Sequence, residues 1–440
     1  MVDAKVLNAL KGYSDDKSHF MIQTFTVFLR DELVNKMKIG NHYKIIGIPA
    51  CVQNGLQATT CIEVNSVQLC KPNGPPFVGD NFKYLLSLTS SSCWKFTAIL
   101  ANIFASQVVP PGTCNTLKLT ILLSLVQTCE KENANYLDLL IVTSDTLVID
   151  RLLNYSLCLL PRGIRHPPSS DIFPSVSKDK HGTGSAMLES RMTTVFIPGK
   201  KYGEEADQQV TISVQTNFWS FVDVDSSSKK HIQKENFLIG QMDVSLIPPN
   251  LLDVFGLLIY NEFPSCQLSS PLVHHILKKA INPEAMLYKV SQQFRMQDFE
   301  EFILFARNLH VELSSEAENL IQGYYLASRR LRRDSLRGST LSASALKILI
   351  SLSKAHTKLS LRNKVLEEDA LIAILLLESS LTLKHGKSAL CIAPNPVFPF
   401  DLSDENSLQQ RDSYLMQCHQ QLLKFIAAYG PGIHINPNEE

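Results

Sequence analysis

The sequence predicts a mixed α/β protein of several domains: a β-rich amino-terminal module, an α/β core and a helical carboxyl-terminal domain. Three observations predict it. Before residue 70, β-branched and aromatic runs alternate with turn formers. A short continuous apolar run, Tyr136–Val142, leads into a helical pattern at Val148–Leu160, the order of an α/β unit. From Pro283 onward, apolar residues recur at helical spacing.

In order along the chain, strands are predicted at Phe20–Leu29, His42–Val52 and Thr59–Leu69, and the Pro- and Gly-rich turn Leu69–Asn81 closes the module, giving a first domain over 1–75. Helical spacing between Phe82 and Val126 predicts two or three helices. The polar, Pro-rich stretch His166–Ala186 reads as an exposed excursion. Thr193–Ile197 and Gln209–Val214 read as a hairpin around Pro198, Gly199, Lys200 and Lys201, with further strands at Asn217–Val222 and Leu257–Tyr260, so that the α/β core runs over 76–280. Helices are expected at Gln297–Leu309, Ser314–Arg333, Ser342–Thr357 and Glu367–Leu383, a helical domain over 281–386. The remainder, 387–440, is expected to be a linker followed by a last helix at Tyr414–Tyr429, stopped by Gly430 and Pro431.

Composition narrows the function classes. A chain of 440 residues with 45% hydrophobic and 19% charged residues has material for two to four packed domains and is not a disordered one. Lys plus Arg and Asp plus Glu both number 42, so no bulk field draws the molecule to nucleic acid, and such contacts must come from local clusters. The ten cysteines form no CxxC pair and none stands at zinc spacing from a histidine, which predicts reduced thiols and no metal site. His274 and His275 are adjacent and cannot share a helix face, and the Gly182–Gly184 GTG follows no predicted strand. Neither GxSxG nor HExxH occurs. The best apolar stretch, Leu117–Val126, is too short to span a bilayer, and the amino terminus lacks a signal-type apolar segment, so a soluble intracellular protein is expected.

The segment Tyr324–Glu378 resembles the lid of the minichromosome maintenance (MCM) helicase family. Three other segments follow that family's order: GNHYKIIGIPACV at Gly40–Val52, like its barrel; LLIVTSDTLVIDRLLNYSLCLLPRG at Leu139–Gly163, like its P-loop, helix and PRG sequence; and SLIPPNLLDVFGLLIY at Ser245–Tyr260, like its arginine-finger segment. The resemblance covers about residues 20–385 and implies a partial oligonucleotide-binding (OB) fold, a degenerate AAA+ core and a helical lid.

It also implies what the nucleotide site should contain. A P-loop uses glycines to bring backbone N–H groups to phosphate, a Lys for the β and γ oxygens and a Ser or Thr for magnesium. The matching window here is Thr143, Ser144, Asp145, Thr146, Leu147, Val148, Ile149 and Asp150, with Ile149 at the lysine position and Asp150 at the hydroxyl position. The arginine finger falls on Val254, the lid arginine on Ser344 and the sensor asparagine on Asp223. From Arg165 to Met192 no β-rich run ends in the acidic Walker B pair, so a shortened core without that strand is expected. The resemblance therefore implies a pseudo-ATPase without catalytic residues or cofactor.

Lys200 and Lys201 stand where the family's hairpin carries a basic residue toward DNA, although a solvated turn explains them equally well. Arg329, Arg330, Arg332 and Arg333, with Arg337 beyond, make a second basic cluster suited to phosphate, to nuclear import or simply to solvent, and Lys229, Lys230 and His231 a third. The divergent branch of the family that the chain resembles is associated with meiotic homologous recombination, which implies a nuclear scaffold with DNA and other MCM-like or recombination proteins as partners. Two other readings stay open: a subunit lending groups to a shared ATP site, and an interaction module without DNA contact.

Overall fold

The computed structural model describes residues 26–36, 43–54, 57–69, 78–127, 137–160, 183–187, 192–197, 208–213, 217–223, 255–261, 277, 294–333, 341–385, 388–390 and 405–430. The chain divides into two compact units, Met1–Phe77 with Pro161–Ile164, and Val78–Leu160 with Arg165–Glu440.

In the first unit, β1 (Thr26–Phe28) lies parallel to β3 (Gln57–Leu69), which pairs antiparallel with β2 (Tyr43–Asn54), in the order β1-β3-β2. A short 3-10 helix, Asp31–Lys36, links the first two strands. The β2–β3 register shifts at Ile46/Gly47. Gly47 permits the approach there, because a Cβ on it would stand 2.3 Å from the Glu63 carbonyl oxygen. Cys61 and Val64 are buried, while Ile46 and Ile48 face outward.

The second unit is built on a parallel sheet. β4 (Leu139–Thr143) lies between β8 (Trp219–Asp223) and β9 (Leu257–Asn261), in the order β8-β4-β9. β4 is buried along its whole length, as the continuous apolar run requires of a strand covered on both faces. The start of β8 is fixed by side chains: Asp138 Oδ1 accepts from Phe218 N at 2.8 Å, Asn217 Oδ1 from Leu137 N at 3.1 Å, and Trp219 Nε1 donates to Ser124 Oγ at 2.9 Å.

Three helices precede β4: α1 (Asp80–Leu88), α2 (Lys95–Ile103) and α3 (Asn115–Leu125). α3 is buried on nearly every side, which explains why its apolar residues continue around the helix. α4 (Thr146–Cys158) follows β4. No helix among the described residues is long and apolar enough to cross a membrane.

β5 (Thr183–Met187), β6 (Met192–Ile197) and β7 (Gln208–Ser213) form a separate antiparallel sheet in that order. The β6–β7 hairpin is the one expected from the sequence. β5 is a correction to the exposed excursion expected at His166–Ala186, whose end it takes up. TGSAM has weak strand propensity and becomes a strand through its pairing with the Thr, Val and Phe residues of β6.

The helical part comprises α5 (Met296–Asn308), α6 (Ser315–Arg333), α7 (Ala343–Leu359), α8 (Glu367–His385) and α9 (Glu405–Tyr429), with a two-residue parallel pair between β10 (Glu312–Leu313) and β11 (Lys364–Val365). Ser314 caps α6 by accepting from Ala317 N at 3.1 Å. α9 starts earlier than the Tyr414 onset read from the sequence. It lies close against α6, where a Cβ on Gly323 would meet Ile426 Cγ2 at 2.8 Å. One hydrophobic core joins Phe82, Leu119, Ile149 and Leu257 to Phe302, Leu349, Leu375 and Ile426. Phe82 stacks on Phe302 with ring centroids 4.6 Å apart and so joins α1 to α5.

Candidate functional site

Open α/β sheets place ligands beyond the carboxyl ends of their strands. In this chain Thr143 ends β4 in register with Asp223 on one side and Asn261 on the other. Asp223, the residue matched to the family's sensor asparagine, thus stands level with Thr143 on the neighbouring strand; its side chain lies outside the described residues.

The eight-residue window that the resemblance matches to a P-loop, Thr143–Asp150, holds a strand end, a short turn and a helix start. Only Ser144 and Asp145 separate β4 from α4, and Thr146 is the first helical residue. Asp145 is the reason. It takes an extended backbone conformation, and its Oδ1 accepts from Leu147 N and Val148 N, both at 3.1 Å. A helix amino terminus binds anions through these unsatisfied N–H groups, and here the chain's own carboxylate occupies two of them. Thr143 Oγ1, fully buried, accepts from Asp145 N at 3.1 Å and fixes the turn.

Ile149, at the lysine position, is 0% exposed and belongs to the core. A lysine there would have to bury its ammonium among Leu and Ile side chains. Asp150, at the hydroxyl position, accepts from Asn154 Nδ2 at 3.1 Å. Ser344, at the lid-arginine position, is exposed on the first turn of α7, with Ser342 Oγ at 2.5 Å. Val254 lies outside the described residues.

Beside the crevice, Lys118 on α3 is completely buried and donates to the Pro110 carbonyl at 3.2 Å. Burial lowers its pKa to about 8, opposed by Cys114 and by no carboxylate among the described residues. Cys114, at the head of the same helix, is raised by burial, with Lys118 and Asn261 acting in the opposite sense.

The structure divides the predicted arginine cluster. Arg329, Arg330 and Arg333 are exposed at the end of α6, and Arg329 Nη1 reaches Tyr325 Oη at 3.3 Å. Arg332 is a correction to the predicted phosphate-facing set. It is 7% exposed, donates to Glu378 Oε1 at 2.8 Å and to Ser328 Oγ at 3.2 Å, and cannot reach an external phosphate from there. Tyr324 Oη and Ala389 N donate to the same Glu378 carboxylate, which ties α6, α8 and the segment after α8 together. Lys200 and Lys201 lie outside the described residues, in the connection between the antiparallel β6 and β7. Lys229, Lys230, His231, His274, His275 and Arg337 also lie outside them. Among the described residues no three His, Cys, Asp or Glu side chains gather as a metal site.

Sequence reasoning missed two features. The capping role of Asp145 had a signal in the order Thr-Ser-Asp-Thr ahead of a helical pattern. The buried group of Thr97, His356 and Asp369 had none, because 259 residues separate its first two members.

The family model of the MCM AAA-lid domain matches residues 297–381, the region of α5 to α8. The whole chain is similar to minichromosome maintenance domain-containing protein 2 of Homo sapiens, with 56% identity over 476 residues and 70% of that protein covered. It is similar also to the Rattus norvegicus protein of that name, with 54% identity over 477 residues and 70% covered. A probable DNA helicase MCM9 of Arabidopsis thaliana is 38% identical over 88 residues, 20% of this chain and 13% of that protein. With a parallel sheet ending in a strand-to-helix turn, an MCM lid and identity of this extent along its full length, the chain has an MCM-like AAA+ fold and belongs to the minichromosome maintenance domain-containing protein 2 family.

Proposed function

We propose that this chain is a non-catalytic MCM-like scaffold that acts in the nucleus in DNA recombination and repair, in meiotic homologous recombination in particular, using the family's architecture to hold DNA and MCM-like or recombination proteins. One observation carries the loss of catalysis: the Asp145 carboxylate sits on the Leu147 and Val148 N–H groups that a phosphate would need. A triphosphate placed there would meet like charge and would have to displace an intramolecular cap. The buried Ile149, the acidic Asp150 and the absence of cations at Val254 and Ser344 support the same reading. The lack of an acidic Walker B pair in the sequence from Arg165 to Met192 supports it too, since those carboxylates hold magnesium and polarise water in the family. The barrel-like OB reading of the first unit belongs to this proposal too, and its β1-β3-β2 sheet is compatible with it.

The recombination role rests on kinship with the divergent branch of the family. DNA contact rests on Lys200, Lys201, Arg329, Arg330 and Arg333. Two measurements test the proposal. Purified chain mixed with MCM-type subunits is expected to leave their ATPase rate unchanged, and a clear stimulation would favour a shared site completed in trans. Charge reversal of Lys200 and Lys201, or of the three exposed arginines, is expected to lower single-stranded DNA affinity and the slope of its salt dependence. An unchanged slope would leave an interaction module without DNA contact.

A further inference from the structure

We infer that the helical lid is locked onto the α/β core in one orientation, by a buried polar network at one end of α8, by contacts to the sheet at its other end, and by α9 acting as a strap. The network begins in the core. Thr97 Oγ1 on α2 lies 2.9 Å from His356 Nε2 on α7. His356 Nδ1 donates to Asp369 Oδ1 on α8 at 2.5 Å, and Arg362 Nη2 donates to the same oxygen at 2.7 Å. Asp369 Oδ2 accepts from Thr357 Oγ1 at 2.8 Å and from Leu366 N at 2.9 Å. Thr97, His356, Thr357 and Asp369 are each at most 1% exposed.

A hydroxyl, imidazole and carboxylate in this order also describe a nucleophilic triad. With Thr97 1% exposed, no substrate carbonyl can reach its oxygen. Joining elements is what the group can do. Every acceptor site of Asp369 near the network is used, and separating the lid from α2 would strip His356 of its Thr97 contact inside a dry interior.

The far end of α8 is pinned independently. Among the described residues β9 is an edge of the three-stranded parallel sheet, and its Leu258 N–H donates to Ser380 Oγ at 2.8 Å instead of to a strand. Lys384 Nζ reaches the Phe255 carbonyl at 3.4 Å. Residues 369 and 380 on one helix stand about 16 Å apart. A lid free to rotate needs a single hinge, and a helix held to the core at two such points has none.

α9 adds the strap. Trp94, just before α2, donates through Nε1 to the Glu368 carbonyl at 3.1 Å, and its own carbonyl accepts from Arg411 Nη1 of α9 at 3.3 Å. Lys95 pairs with Asp412 of α9 at 3.6 Å. The other end of α9 packs on the lid at Gly323. One helix thus touches the core with its first half and the lid with its second. This inference stands whether or not the crevice takes nucleotide.

Hydrogen–deuterium exchange on the full chain tests it. Slow amides of α7 and α8 are expected to exchange at the rate of those in α2 and β4, because lid and core open as one unit. Thr97→Val, nearly isosteric, and Arg411→Met, which keeps the buried stem, are each expected to speed exchange in α7 and α8 about tenfold relative to β4. A native lid exchanging about tenfold faster than β4 would show independent opening and overturn the lock. Equal acceleration of lid and β4 in both variants would overturn it too, since the contacts would then add only to global stability.

Discussion

Lys118 has its ammonium in the core with no carboxylate beside it among the described residues, and its hydrogen-bond partner there, the Pro110 carbonyl, also accepts from Thr113 Oγ1 at 2.7 Å. Replacing the lysine by methionine therefore leaves no orphaned acceptor and removes a buried charge. With a pKa of about 8 in the fold and about 10.4 unfolded, the unfolded chain holds the extra proton between those values, so stability rises as pH climbs through that window. Lys118→Met should stabilise the chain at neutral pH by about 1–3 kcal/mol and abolish the alkaline gain, as read by urea unfolding near neutrality and near pH 10. Asp369 behaves in the opposite sense. Burial raises its carboxyl, but the hydrogen bond and charge of His356, the charge of Arg362 and the Leu366 N–H outweigh burial and hold it below the usual range. Its contribution is full above the unfolded value of about 3.9 and disappears as pH falls through the lowered folded value. The groups facing it are His356 and Thr357 from α7, Arg362 from the turn and, through His356, Thr97 from α2. Asp369→Asn should flatten the acid limb of the stability curve, and an acid limb identical to the native one would exclude this carboxylate as its source.

At the level of elements, α6 shows what periodicity reveals and what it hides. Four arginines in five positions read as one basic cluster, yet helical spacing puts Arg332 four residues after Ser328 on the buried face, and the others outside. That phase was legible in the sequence. The partner, Glu378 on α8, was not, because it comes from 46 residues away. Arg332→Ala should cost about 3–5 kcal/mol by leaving Glu378 buried without its cation, whereas Arg330→Ala should stay within about 0.5 kcal/mol. Chemical denaturation of the two variants separates these outcomes. Most strands and helices were legible from their apolar period, with ends shifted by a few residues. The exceptions were held from outside. The first turns of α9 are polar in sequence and are fixed by Arg411, 1% exposed against the Trp94 carbonyl. β5 exists through β6. The helix after β4, expected from Val148, starts two residues earlier at Thr146, where the Asp145 cap sets its beginning.

For the whole molecule, the order of modules could be read because each has its own hydrophobic period, and the family could be read because the lid motif is long. The joining of core and lid could not, since it depends on side chains such as Thr97, Ser380 and Arg411 that look like ordinary surface residues of amphipathic helices. In the proposed reading, the N–H groups at the strand-to-helix turn of this MCM-like AAA+ fold are taken up by the chain's own Asp145 carboxylate instead of by phosphate. Calorimetric titration of the full chain with magnesium-ATP tests that claim most directly: the account predicts only heats of dilution, and saturable magnesium-dependent binding in the micromolar range would contradict it.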